Sequence, residues 1–192
     1  RYVAFADIRS FFTRIPKATA STIVAKAIND KEFSDFFDKA IAVELSNMAD
    51  LKATAAQFPL SEIGVAQGNC LSPLIGNLIL HAFDAQMNTG DCRCLRYIDD
   101  FIIIAPSKRA AKARMKKATE ILAELGMELS PEKSSKEPIP VEDKFTFLGV
   151  EIANGLLRPS RKARDRLREN IEKQFKSSIR SMNKFKSTEG LE

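Results

Sequence analysis

The chain has 192 residues, of which 44% are apolar and 29% charged, with a formal net charge of +5. That length and balance suit a soluble globular protein of one domain, or one domain with an appended element, and no apolar run approaches the ~20 residues of a membrane span. The three cysteines, an odd number without a CxxC spacing, argue against a disulfide framework and against a zinc site; with no signal peptide in view, they point to reduced, packed thiols in a cytoplasmic protein.

In chain order, residues 2–8 read as a strand and 17–29 as a helix. Phe33, Phe36, Phe37, Ala40, Ile41, Leu45 and Met48 recur at spacings of three and four, which predicts an amphipathic helix over 31–48. Residues 49–62 read as loop and short strand. Ser72-Pro73 predicts a helix start, with Ser as N-cap and Pro at the first helical position, and the helix runs to about Met87, where Asn88-Thr89-Gly90-Asp91 breaks it. Leu95–Ile104 reads as two short strands folded around Asp99-Asp100. A helix over 107–125 ends at Gly126. Phe145–Ala153 and Leu156–Arg158 flank Asn154-Gly155, a strong hairpin signal. Leu167, Ile171, Phe175, Ile179 and Met182 then mark a long amphipathic helix over 160–185. The pattern is α+β. Between Arg158 and Lys186 eleven basic side chains face three acids, a local excess that predicts a polyanionic partner.

Two apolar strands end in carboxylates. Asp7 follows Val3-Ala4-Phe5-Ala6, and Asp99-Asp100 follow Leu95-Arg96-Tyr97-Ile98. Acids where a buried strand emerges cost desolvation unless they are paired or bind a cation. Arg96 and Arg9 are the only nearby bases in sequence, so a divalent ion is the expected partner, and hard oxygen ligands suit Mg²⁺. Taken singly, each acid could equally cap a strand end as an ordinary turn residue.

The context is more specific. Asp7-Ile8-Arg9-Ser10-Phe11-Phe12, then Gly64-Val65-Ala66-Gln67-Gly68-Asn69-Cys70-Leu71-Ser72-Pro73, then Tyr97-Ile98-Asp99-Asp100 before Phe101-Ile102-Ile103-Ile104, resemble motifs A, B and C of the reverse transcriptases, in the family's order. The likeness is greatest to the prokaryotic group II intron-like branch that includes the retron enzymes. Leu125–Lys133 resembles motif D, and Phe145-Thr146-Phe147-Leu148-Gly149 resembles the primer grip. The likeness covers about residues 1–160. It departs from the family at Ala66, where proline is usual before Gln-Gly.

The resemblance implies a right-hand polymerase palm over 1–158, a small antiparallel sheet backed by helices, with the beginning of a helical thumb over 159–192. The fingers, which precede motif A in the family, would be absent from this chain, which opens on a strand without an initiator Met. The implied activity is RNA-directed DNA polymerisation, adding dNTPs to a primer 3′-hydroxyl on an RNA or DNA template. The implied cofactors are two Mg²⁺ ions, with Mn²⁺ as a substitute, held by Asp7, Asp99, the Ile8 carbonyl and, as the lesser ligand, Asp100. Lys133 would protonate the leaving pyrophosphate. Phe12 would be the aromatic gate under the nucleotide sugar, with packing beside Phe11 in the same strand as its bland alternative. Gln67 and Gly68 would meet the nucleotide or template, although Gly68 also suits plain turn chemistry. Tyr97 either contacts the primer end or packs. Phe147, Leu148 and Gly149 would press on the primer backbone, and Arg161, Arg164 and Arg168 would follow duplex phosphates. No membrane partner is implied. Three rivals share features of this pattern: an RNA-dependent RNA polymerase, which Phe12 disfavours; a non-catalytic nucleic-acid-binding palm; and a nucleotidyl cyclase-like palm, which would lack Gln67-Gly68 and Ser72-Pro73. His81, the single histidine, reads as structural.

Overall fold

The computed structural model describes residues 1–42, 62–66 and 68–188. Residues 43–48 of the helix expected over 31–48, residues 49–61 of the loop and short strand expected over 49–62, and Gln67 lie outside the described residues. The chain divides into two compact units, Arg1–Pro140 and a second from Val141 onward. The second unit holds the hairpin segment and the basic helix.

In the first unit, β1 (Tyr2–Asp7) leads through a 3₁₀ turn (Phe11–Arg14) to α1 (Lys17–Ile28) and α2 (Lys31–Ala40). Then come α3 (Ser72–Met87), β2 (Arg93–Tyr97), β3 (Asp100–Ala105), α4 (Lys108–Glu124) and the short β4 (Ile139–Pro140). The sheet is antiparallel in the order β2-β3-β1-β4. Strand side chains alternate between faces, and the register sorts them. Ala4, Ala6, Phe101, Ile103 and Cys94 occupy the face covered by α3 and α4, and Ala6, Cys94, Phe101 and Ile103 join the main core there with Ile79, Phe83 and Leu122. Phe83 meets Phe101 edge-on, with ring centroids 5.3 Å apart. Asp7, Asp100 and Tyr97 lie side by side in register on the opposite face.

Helix boundaries follow local chemistry. Asp30 caps α2 and Ser107 caps α4, each accepting from a backbone N–H three residues on, as short polar side chains do at N-termini. The Ser72-Pro73 expectation is shifted by one residue: Leu71 occupies the cap position, Ser72 is the first helical residue and Pro73 the second, and the Ser72 hydroxyl donates to the Ala66 carbonyl at 2.6 Å. Ser72 thus ties the preceding loop to α3. Phe11 and Phe12 are likewise in a 3₁₀ turn and not a strand. Phe11 fills the core and Phe12 is partly exposed. Gly76 makes room for Phe11, because a Cβ there would stand 2.7 Å from the Phe11 ring.

The second unit contains β5 (Phe145–Phe147), β6 (Val150–Ala153) and β7 (Leu156–Pro159) in one antiparallel sheet, followed by α5 (Arg161–Thr188). The strand expected over 145–153 is interrupted: Leu148 and Gly149 turn at φ 49° and 75°, almost matching Asn154 and Gly155 at 47° and 76°. Both are two-residue turns with positive φ at each position, the geometry that suits the right-handed twist of hairpin strands. Glu151 is buried between Lys144 and Arg158, and the hydrogen bond from Lys144, with Arg158 assisting, holds its carboxyl below the usual range. Ser160 caps α5 by accepting from the Ala163 N–H. Among the described residues no helix is long and apolar enough to cross a membrane. The cysteines are free, with Cys92 and Cys94 buried and Cys70 exposed, and burial pushes the Cys94 thiol up to about 12.

Candidate active site

Three segments converge on the end of β1. On one side, β3 pairs Asp100 with Asp7, and the Ile8 N–H donates to the Asp99 carbonyl at 2.9 Å. On the other side, residues 128–135 line the free edge of β1. Arg9 N–H donates to the Glu128 carbonyl, Ser130 N–H to the Asp7 carbonyl and Ser135 N–H to the Phe5 carbonyl, each at 2.8 Å. The Ser135 hydroxyl accepts from the Phe5 N–H at 3.0 Å. Serine hydroxyls so complete an edge that lacks a full strand, as buried backbone groups require. Nothing in the spacing of these serines signals that role in advance.

The result is a carboxylate cluster. One oxygen from each of Asp7, Asp99 and Asp100 lies within 4.8 Å of the others. Asp7 is only 4% exposed, and the other two are half-buried. Burial, and repulsion from Asp7, push the Asp99 carboxyl above its ordinary value despite a backbone hydrogen bond; burial, then Asp99 and Asp7, push up Asp100. The turn holding Asp99 passes through Ile98 at φ 60°, a left-handed conformation that costs a residue with a Cβ about 1–2 kcal/mol.

The bases sit differently from the expectation. Arg96 turns to the helix face and makes a two-pronged pair with Asp84, at 2.6 and 2.8 Å. Arg9 pairs with Glu128 at 3.2 Å, and Arg14 reaches the same carboxylate oxygen at 2.9 Å. Among the described residues, the cation at the cluster is Lys133, whose ammonium stands 2.9 Å from the buried Asp7 carboxylate. It rides on a turn pinned to β1 at both ends, by Ser130 and by Ser135, and its side chain is 67% exposed. The hydrogen bond to Asp7 raises its pKa and keeps it protonated.

Among the described residues, three carboxylates facing one exposed ammonium form a set of hard oxygen donors with surplus negative charge. That donor set fits a divalent cation such as Mg²⁺. Backbone direction extends it: an extended residue sends its N–H and C=O to the same edge, so the Ile8 carbonyl lies on the edge facing the Asp99-Asp100 turn.

The other expected positions fall as follows. Tyr97 neighbours Asp100 in register and is 61% exposed on the open face. Phe12 follows Asp7 in the 3₁₀ turn, its ring centroid 5.4 Å from that of Phe11 and its carbonyl accepting from Val65 N–H. Gly68 takes φ 88°, and among the described residues nothing beyond its chain neighbours lies within 4 Å of where a Cβ would stand, so its glycine serves backbone conformation. Phe147, Leu148 and Gly149 form the first hairpin turn of the second unit. Arg161 and Arg168 flank Asp165 on α5 at 3.7 Å, and Arg164 is exposed beside them. His81 is an exposed residue of α3.

An antiparallel sheet backed by helices, with acids gathered at one end of its central strands, defines a polymerase palm-like fold. A sequence model of the reverse transcriptase (RNA-dependent DNA polymerase) family matches residues 1–152, and the chain belongs to that family, whose members are nucleotidyltransferases. Among solved structures it is similar to apo telomerase from Candida tropicalis truncated from its C-terminal domain: TM-score 0.54, 17% identity, over 83% of this chain and 35% of that one. Apo telomerase from Candida tropicalis gives TM-score 0.55 and 18% identity over 82% and 32%. Telomerase from Candida albicans in complex with the TWJ fragment of telomeric RNA gives 0.54 and 12% over 83% and 30%. The chain thus spans about a third of the length of these structures, and identities so low speak for the fold alone. No curated protein matches the chain.

Proposed function

We propose that residues 1–158 are the catalytic palm of an RNA-directed DNA polymerase of the group II intron-like and retron branch, and that a thumb begins at 159. It would add dNTPs to a primer 3′-hydroxyl on an RNA or DNA template. The observation that carries this reading is the convergence of Asp7, Asp99 and Asp100 within 4.8 Å, from segments more than 90 residues apart in sequence.

Asp7 and Asp99, with the Ile8 carbonyl, would hold two Mg²⁺ ions, and Asp100 would support them electrostatically. When bound, such ions supply charge neutralisation on the triphosphate and a lowered pKa for the attacking hydroxyl. The chain's own groups do the rest by positioning. Tyr97, exposed next to Asp100, offers a surface for the primer end. Phe12 presents a ring that neither accommodates nor hydrogen-bonds a 2′-hydroxyl, which favours dNTPs over NTPs. Gln67 and Gly68 would border the nucleotide, and the positive φ of Gly68 suits a close backbone approach there. Lys133 starts protonated on Asp7 and is exposed enough to leave it, so it is suited to give its proton to the departing pyrophosphate. Phe147, Leu148 and Gly149 would bear on the primer backbone. Arg161, Arg164 and Arg168 would meet duplex phosphates without reading sequence, as suits an A-like duplex recognised by backbone and shape.

Primer extension by the full chain on an RNA template tests the reading. Extension with dNTPs and Mg²⁺ or Mn²⁺, lost in Asp99→Asn, is the expected result. Preference for NTPs would make the protein an RNA-dependent RNA polymerase. Duplex binding with no extension in either metal would leave a non-catalytic palm.

A further inference from the structure

The Asp99-Asp100 turn is held in a conformation its own sequence disfavours. Ile98 is β-branched yet sits at φ 60°, a region that such residues almost never occupy. Its side chain packs against the main core, but packing of a side chain does not by itself dictate the sign of φ. The Ile98 carbonyl, however, accepts a hydrogen bond from the Arg96 Nη1 at 2.8 Å.

Arg96 is in turn fixed from three directions. Its Nε and Nη2 donate to the two oxygens of Asp84 at 2.8 and 2.6 Å, and its Nη1 also donates to the Asn77 side-chain oxygen at 3.1 Å. The side chain is 7% exposed. Asp84 and Asn77 lie seven residues apart on one face of α3, whose Ile75, Ile79, Leu80 and Phe83 are buried. The same helix end brackets β2 a second time: the Asn88 amide accepts from the Cys94 N–H and donates to the Cys94 carbonyl, at 2.9 and 3.0 Å.

We propose that Arg96 is a positioning residue for the carboxylate cluster: seated on Asp84 and Asn77, its guanidinium holds the left-handed backbone at Ile98 and so sets where the Asp99 and Asp100 carboxylates stand. The proposal rests on the reading of Asp7, Asp99 and Asp100 as a cation site, but its backbone half is testable without any metal. Only a planar fork with five N–H donors serves Asp84 through two nitrogens while a third reaches a carbonyl. A lysine keeps the charge opposite Asp84 and loses the fork.

The experiment compares wild type, Arg96→Lys, Arg96→Lys/Ile98→Gly and Asp99→Asn by two readouts. One is amide hydrogen exchange in the metal-free chain at Ile8, whose N–H bonds the Asp99 carbonyl. The other is Mn²⁺ affinity by titration. Arg96→Lys should exchange faster at Ile8 and bind Mn²⁺ about tenfold more weakly, a change of about 1.4 kcal/mol. Adding Ile98→Gly should restore both, because glycine adopts positive φ without restraint, whereas a merely stabilising salt bridge would not be rescued by a backbone change at Ile98. Unchanged Ile8 exchange and Mn²⁺ affinity in Arg96→Lys, or losses that glycine fails to restore, would overturn the proposal. Should Asp99→Asn bind Mn²⁺ like wild type, the cation reading fails by itself, and the exchange data alone then decide whether Arg96 positions the turn.

Discussion

The acid end of the four-stranded sheet and the α5 helix carry charge in opposite ways. At the sheet end, three carboxylates lie within 4.8 Å, one of them buried, and backbone hydrogen bonds from two flanking segments fix their strand. On α5 the described side chains are almost all exposed, and Asp165 meets Arg161 and Arg168 at 3.7 Å. The first arrangement acts over a few ångströms in a poorly screened setting and depends on geometry. The second acts through summed positive charge at a range that salt screens. Chemistry and grip on a polyanion should therefore separate experimentally: substitutions at the sheet end should alter turnover with little salt dependence, and those on α5 should alter affinity in proportion to salt.

The largest effect is expected from Asp7→Asn, which should reduce dNTP incorporation by at least about 10³-fold, more than the loss of one charge-stabilising donor costs, while duplex binding in a gel-shift assay stays near wild type. If duplex binding fell equally, the separation would be lost. Lys133→Met comes next. Removing a proton donor lowers rates by about 10²-fold, yet it also frees Asp7 of its ammonium partner, so Mn²⁺ affinity should rise in the same variant. Activity and cation affinity moving in opposite directions would sharpen the assignment, because a lysine that merely stabilised the loop would lower both.

How far these regions could be read in advance differs for physical reasons. The acids announced themselves because apolar strands seldom end in carboxylates, and the motif order supplied their partners. The α5 helix was legible from its 3.6-residue apolar period, and the Asn154-Gly155 turn from its residue types. Leu148-Gly149 was missed because nothing in a leucine advertises φ 49°; its hairpin register imposes it. Ser72 misled as an N-cap because its hydroxyl had a tertiary partner, the Ala66 carbonyl. Sequence proximity sets Arg96 beside the acids, but its guanidinium pairs with Asp84. Alternation along β2 sends it to the helix face, where Asp84 waits, and no local spacing reveals a pair formed between a strand and the preceding helix.

A smaller effect is expected on the α5 side. Arg161→Ala/Arg164→Ala/Arg168→Ala should weaken duplex binding and flatten its salt dependence, lowering the log–log slope by about 2–3, since each phosphate contact contributes about 0.9 on B-DNA. Single-turnover extension at saturating duplex should change little.

The smallest effect concerns stability. Asp99 and Asp100 bind protons more tightly in the fold than in the unfolded chain, because burial raises both, with repulsion from Asp7 on Asp99 and from Asp99 and Asp7 on Asp100. In metal-free protein the folded state therefore loses stability as pH rises from the ordinary aspartate range through those raised values. Asp100→Asn should raise the metal-free Tm above that window and leave it unchanged below it, as thermal melts across pH would record. A variant less stable than wild type at neutral pH would mean that the cluster carries no such repulsion.

The most direct test is a crystal of the protein grown with Mn²⁺ and measured at the manganese absorption edge. An anomalous peak within coordination distance of both Asp7 and Asp99, with the Lys133 ammonium displaced from Asp7, is the predicted result. Lys133 still seated on Asp7 at saturating Mn²⁺, with no peak between the aspartates, would contradict the account.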